Sequence, residues 1–89
     1  MDAKTSLLDG VEDSVRESIA RYFGGEDLVP VTCSLREASE ITGISYDALN
    51  AASRAMSADR RLPGIRLGQA KFSVLTCALP AWVAKAASL

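Results

Sequence analysis

A chain of 89 residues is one domain at most, and a chain of that length buries only a modest share of its surface. Its 48% hydrophobic content suits a folded chain rather than a disordered one, although much of it is alanine and so predicts a thin core. The net charge of −1 hides a division: residues 1–40 carry nine acids and four bases, and residues 41–89 carry two acids and six bases. A domain acidic at one end and basic at the other suits a polyanion facing its basic half.

The first element is an amphipathic helix over Thr5 to Phe23. Leu8, Val11, Val15, Ile19 and Tyr22 recur at helical spacing, with Asp9, Glu12, Asp13, Arg16 and Glu17 on the other face. Gly24-Gly25 stops it. Such a stripe needs cover, either from its own domain or, by self-association through residues 5–23, from a second chain or another protein. Residues 26–33 then read as a connector ending in a short extended segment, because Pro30 excludes helix.

Ser34 begins a second helix with Glu37 at its third position, the spacing of a capping box that satisfies two backbone donors. Leu35, Ala38 and Ile41 form its buried face, and Gly43 ends it in the left-handed conformation. Ser45 caps a third helix over residues 45–56, with Ile44 and Leu49 as a hydrophobic staple. Leu49, Ala52, Ser53 and Met56 make its inner face, so Tyr46, Asp47, Asn50, Ala51 and Arg54 point away. Two capped helices joined by a glycine corner make a helix-turn-helix, whose slim second helix fits a narrow space such as the major groove of DNA.

Beyond a basic connector (Ser57 to Arg61), Ile65 and Leu67 alternate with Arg66, and Phe72 and Val74 alternate with Lys71 and Ser73. With Gly68-Gln69-Ala70 as the turn, the pattern predicts a two-stranded hairpin over residues 65–74, apolar on one face and projecting Arg66, Lys71 and Gln69 outward. A lone hairpin is marginal in water, so this one is expected to lie on the helices. A last helix starts near Leu79, since Pro80 is tolerated only in a first turn; Leu79, Trp82 and Val83 anchor it, with Trp82 plugging the core over the helix pair.

Catalytic and metal chemistry find little support. The chain has no histidine, the commonest general base, and only two cysteines, Cys33 and Cys77, far apart. Zinc needs four clustered ligands, so both thiols are expected reduced and buried. Gly64 to Lys71 fails the spacing of a phosphate loop, and Glu37 and Glu40, one turn apart, are explained by capping and solvation. No enzyme activity and no cofactor are expected. Without an apolar run long enough for a bilayer or a signal peptide's pattern at the start, no membrane partner is expected and the chain reads as cytoplasmic.

The order CSLREASEITGIS, a helix, RLPGIRLGQAKFSV and ALPAW resembles the small winged helix-turn-helix domains of phage excisionases and MerR-type regulators. Glu37-Ala38-Ser39 stands at that family's "EAA", Gly43-Ile44-Ser45 at "GVS", Leu62 to Gly68 at "LPAxRxG", and Ala78-Leu79 with Trp82 at "ALxxWL". The likeness covers residues 33 to 84. It implies a mainly α fold with a small β-hairpin wing: a winged helix-turn-helix over 34–89, preceded by an extra amphipathic helix over 1–25. It further implies a cytoplasmic protein of a bacterium or phage-infected cell that binds double-stranded DNA, with the third helix in the major groove and the wing on the adjacent backbone or minor groove. Tyr46, Asn50 and Arg54 would then face DNA from the helix, and Arg66, Gln69 and Lys71 from the wing. Asn50 would read adenine, Arg54 guanine or a phosphate, and Tyr46, Arg66 and Lys71 would anchor phosphates. The family's members act in excision, beside an integrase, or in transcriptional control. Three features depart from its pattern: a third helix with Arg54 as its one cation and Asp47 near its start, a longer connector before Leu62, and the added N-terminal helix. No long dimerisation helix follows Trp82, which places the chain nearer the excisionase or minimal-repressor end of the group. The alternative is a protein-interaction module that works through the N-terminal stripe, its DNA affinity lost.

Overall fold

The computed structural model describes residues 3–68 and 71–87, with side chains from residue 10 onward. Within those residues the chain forms four α-helices and a three-stranded antiparallel sheet: α1 (Ala3–Phe23), β1 (Thr32–Ser34), α2 (Leu35–Thr42), α3 (Tyr46–Ser53), β2 (Gly64–Leu67), β3 (Lys71–Leu75) and α4 (Leu79–Ala87). Short 3-10 turns at Glu26–Leu28 and Thr76–Ala78 lead into β1 and α4. The sheet order β1-β3-β2 makes β3 the central strand. The expected helices and hairpin are present, and the whole is a mixed helix and sheet domain, because the extended end of the connector adds a third strand to the hairpin: Thr32 lies opposite Leu75, and Ser34 opposite Ser73.

The corner between α2 and α3 forms as its residue types dictate. Ser34 Oγ accepts from the Glu37 N–H at 3.0 Å, and Glu37 Oε1 accepts from the Ser34 N–H at 2.9 Å, a reciprocal cap. Gly43 takes φ 78°, a left-handed conformation that costs a residue without Cβ nothing, and its N–H closes onto Ser39 O at 2.8 Å. Ser39 Oγ donates to Ile44 O at 2.6 Å, and Thr42 Oγ1 accepts from the Ile44 N–H at 3.2 Å, so the turn's polar backbone is tied to α2. Ser45 Oγ then accepts from the Ala48 N–H at 3.2 Å and starts α3.

One core joins every layer. Val15 and Ile19 of α1, Leu35, Ala38 and Ile41 of α2, Leu49 of α3, Leu62, Val74 and Leu79 form a single buried cluster, with Cys33 at its edge. Burying a side chain such as Leu49 or Leu79 contributes about 1.5–3 kcal/mol. The N-terminal stripe finds its cover here, since α1 packs chiefly along α4 and also against α2. Tyr22 departs from that stripe: it is exposed, and its hydroxyl donates to Glu40 Oε2 of α2. The Leu8 side chain lies outside the described residues. Helix α4 starts at Leu79, as Pro80 requires. Trp82 is half-buried against the core, and its Nε1–H donates to Arg60 O at 3.3 Å, so it pins the loop after α3 as well as covering the core.

Two further expectations are corrected. Helix α3 ends at Ser53, short of residue 56, and Met56 is 95% exposed rather than part of the inner face. The carbonyl of Ala52 accepts instead from the Leu62 N–H at 3.0 Å, which draws Leu62 into the core and turns the chain away from the helix axis. Of the two thiols expected to be buried, Cys33 is and Cys77 is exposed. No helix among the described residues is long and apolar enough to cross a membrane.

Candidate functional site

The hairpin register decides where the wing's side chains go. Arg66 lies opposite Phe72, Gly64 opposite Val74, Ile65 opposite Ser73, and Leu67 opposite Lys71. Residues paired across an antiparallel ladder share a face, so Gly64, Arg66, Phe72 and Val74 face the helices, while Ile65, Leu67, Lys71 and Ser73 face away. The expected single apolar face of Ile65, Leu67, Phe72 and Val74 does not form. The shared outward projection of Arg66 and Lys71 fails with it. The cause is the connection: three residues, 68–70, separate the paired Leu67 and Lys71, whereas an even-numbered loop would have aligned the apolar sets. A slip of one residue exchanges the faces of a whole strand. Gln69 lies outside the described residues.

Gly64 makes this arrangement possible. A Cβ there would lie 2.6 Å from Phe72 Cε1, so only glycine lets the Phe72 ring cross over β2. The ring in turn supports Arg66, whose guanidinium carbon is 5.2 Å from the ring centroid. Arg66 Nη2–H reaches back to α3, donating to Ser53 O at 3.2 Å and Ser53 Oγ at 3.1 Å. Arg61 approaches the same end of α3, with Nε–H donating to Ala55 O and Nη2–H to Met56 O, both at 2.8 Å. Two guanidinium groups therefore sit where the helix dipole and the last carbonyls concentrate negative potential.

Between this helix end and β2 opens a groove of about 540 Å³ lined by Ser53, Arg54, Met56, Arg61, Arg66 and Phe72. Arg54, the residue that closes α3, is exposed and adds a third guanidinium. Tyr46 and Asn50 precede Arg54 at four-residue spacing, within about 80° of helix arc, so the stripe they form runs down α3 into the groove. Tyr46 is exposed and Asn50 is half-buried. Asp47 is exposed at the start of α3, a favourable place for a carboxylate on that helix.

Of the expected residues, Arg54 and Arg66 line one groove, Asn50 and Tyr46 lie one and two turns up α3 from it, and Lys71 stands apart on the other face of the hairpin. Arg61 was missed, having been read only as part of a basic connector. Its place depends on where α3 ends, and the sole sequence signal was the adjacent pair Arg60-Arg61. Among the described residues no group of three or more Cys, Asp or Glu side chains is placed to hold a metal ion. The groove offers guanidinium donors, an aromatic ring and a polar helix stripe. Guanidinium groups are the donors that match the geometry of carboxylate and phosphate oxygens.

No family model matches the chain, and no match emerges among curated proteins or solved structures.

Proposed function

We propose that the chain is a small winged-helix protein that binds duplex DNA, working as an excisionase-like architectural factor or a phage-type transcriptional regulator. In this reading α3 enters the major groove, and the hairpin β2–β3 is the wing beside it. The observation that carries it is the convergence of Arg54, Arg61 and Arg66 on one groove at the foot of the Tyr46–Asn50 stripe. A phosphate strand along that groove would meet guanidinium donors while the stripe meets base edges. Arg66 engages only Nη2 among the described residues, which leaves Nε and Nη1 to donate to an anion. Asn50 carries the amide that pairs with adenine, and Tyr46 a hydroxyl for phosphate. Lys71, turned away, is no part of this surface. The rival, an N-terminal helix docked on another protein, loses support because Val15 and Ile19 are already committed to the chain's own core.

Titrating fluorescent duplexes from native operator or attachment sites across a range of salt tests the reading. Each phosphate contact gives a log–log slope of about −0.9, so three arginines predict a slope near −2.7. Arg61→Ala should reduce that slope by about one for every duplex, while Arg54→Ala should also blur preference among sequences. Binding that is absent, or indifferent to salt, refutes it.

A further inference from the structure

One apolar side chain at the groove belongs to no core. Met56 is 95% exposed, more than any other large hydrophobic residue on the described surface. Of those exposed residues it is the one that lines the groove with Arg54, Arg61 and Arg66. A single exposed hydrophobe is ordinary on a protein surface and by itself means nothing. What sets Met56 apart is how firmly its backbone is held.

On its N-terminal side, the Arg54 N–H donates to Ala51 O at 3.1 Å and the Ala55 N–H to Ala52 O at 3.2 Å, which carry the last turn of α3 up to the methionine. Arg61 then spans the next two carbonyls, with Nε–H donating to Ala55 O and Nη2–H to Met56 O, both at 2.8 Å. On the C-terminal side, Ser57 O accepts from the Arg60 and Arg61 N–H groups at 3.1 and 3.0 Å. The chain is therefore tied on both sides of a side chain that stays in solvent. A fixed backbone lowers the ordering cost of whatever contact that side chain makes. Because Arg61 does the tying, the thioether and a guanidinium reach the groove in a set relation to one another.

The chemistry of a duplex says what would meet it. Met56 lies two residues beyond Arg54, past the end of the α3 stripe and among the arginines, where base edges give way to phosphate. In the major groove the thymine C5-methyl stands at that margin, on the side of the base nearest its own backbone. It is the apolar group among the donors and acceptors of the base edges. A methionine side chain is flexible enough to fit against it and leaves no strong donor or acceptor unpaired when water is expelled.

We propose that Met56 is a specificity-determining residue, packing its thioether on the C5-methyl of a thymine beside the phosphate that Arg61 holds. This rests on the duplex reading above and adds a preference among bases where Arg61 supplies only charge.

The test replaces each thymine in turn by deoxyuracil, which removes the methyl and nothing else, in a native operator or attachment duplex titrated with the full chain. At one thymine of the bound site the wild type should lose about fourfold in affinity, the worth of one buried methyl group. Met56→Gln should bind the thymine and uracil forms of that duplex equally, and Met56→Leu, still apolar, should keep the preference. Both variants change an exposed, uncharged side chain, so each should retain the wild-type melting curve and the wild-type salt slope. Absence of binding to every duplex refutes the duplex reading and this proposal together. Salt-dependent binding that is indifferent to every uracil substitution leaves that reading standing and overturns the proposal alone. A Met56→Gln variant that keeps the full thymine preference also overturns it.

Discussion

The Tyr22 hydroxyl donates to a Glu40 carboxylate oxygen and joins the last turn of α1 to α2, while the Tyr22 ring meets Phe23 edge-on at 5.0 Å. That bond is the main reason the phenol is pushed up to about 12, since ionising it would lose the donor and set two negative charges together. An unfolded tyrosine titrates near 10. Between the two values the unfolded chain has released its proton and the folded chain still holds it. The bond's contribution is therefore intact below about pH 10 and lost as pH rises from there toward 12. In a Tyr46→Phe background, phenolate absorbance should report Tyr22 alone, and Glu40→Gln should bring its midpoint back toward the ordinary value. A midpoint unmoved by that change would show that the bond does not hold α1. Cys33 contrasts with this surface pair, because burial pushes its thiol up and leaves it a packing residue. The Thr76 hydroxyl opposes that shift, and among the described residues it is buried without a hydrogen-bond partner.

At the scale of the element, what was legible in the sequence depended on whether a local rule decided it. The Ser34–Glu37 box, the left-handed Gly43, the Ser45 cap and the Pro80 start are each fixed by residues within four positions of one another, and each formed. The end of α3 was not legible, because it is set by the Leu62 N–H returning to Ala52 O from ten residues downstream and by Arg61 covering Ala55 O and Met56 O beyond it. The hairpin faces were not legible either, since alternation within each strand says nothing about how many residues the turn takes. The site was accordingly half visible: the helix stripe followed from periodicity, while the grouping of Arg61 with Arg66 needed both unseen facts. Arg66 is also a structural cation, for it covers Ser53 O at the helix end. Arg66→Ala should lower stability by about 1–2 kcal/mol in denaturant unfolding, by stranding that carbonyl and uncovering the Phe72 ring. Arg66→Lys should recover part of the loss, because a point charge serves the helix dipole but neither grips two oxygens nor stacks as a planar group. An unfolding midpoint unchanged by either substitution would remove Arg66 from the fold and leave it a surface charge alone.

For the molecule as a whole, the acidic and basic halves of the chain belong to one body, because α1, which carries four of the eleven acids, is fastened into the same core as α2, α3 and the sheet. Arg16 bridges to Asp13 at 2.8 Å and to Glu12 at 3.6 Å along α1, so that face keeps its charge in solvent while Val15 and Ile19 go inward. Whether α1 is an appendage or a structural member can be decided on magnitudes. Burying Val15 and Ile19 contributes about 3–6 kcal/mol together, before the α4 surface they cover is counted. A domain of this length holds about 4–13 kcal/mol in total. Deleting residues 1–25 should therefore abolish the cooperative thermal transition rather than merely lower it. The milder Ile19→Ala should cost about 2–5 kcal/mol and yet leave a single transition at lower temperature. Far-ultraviolet circular dichroism on heating checks both. A truncated chain that still melts sharply would make residues 26–89 a self-sufficient domain and return α1 to the role of a docking arm; its loss of folding would mean that any duplex binding belongs to the chain with α1 in place.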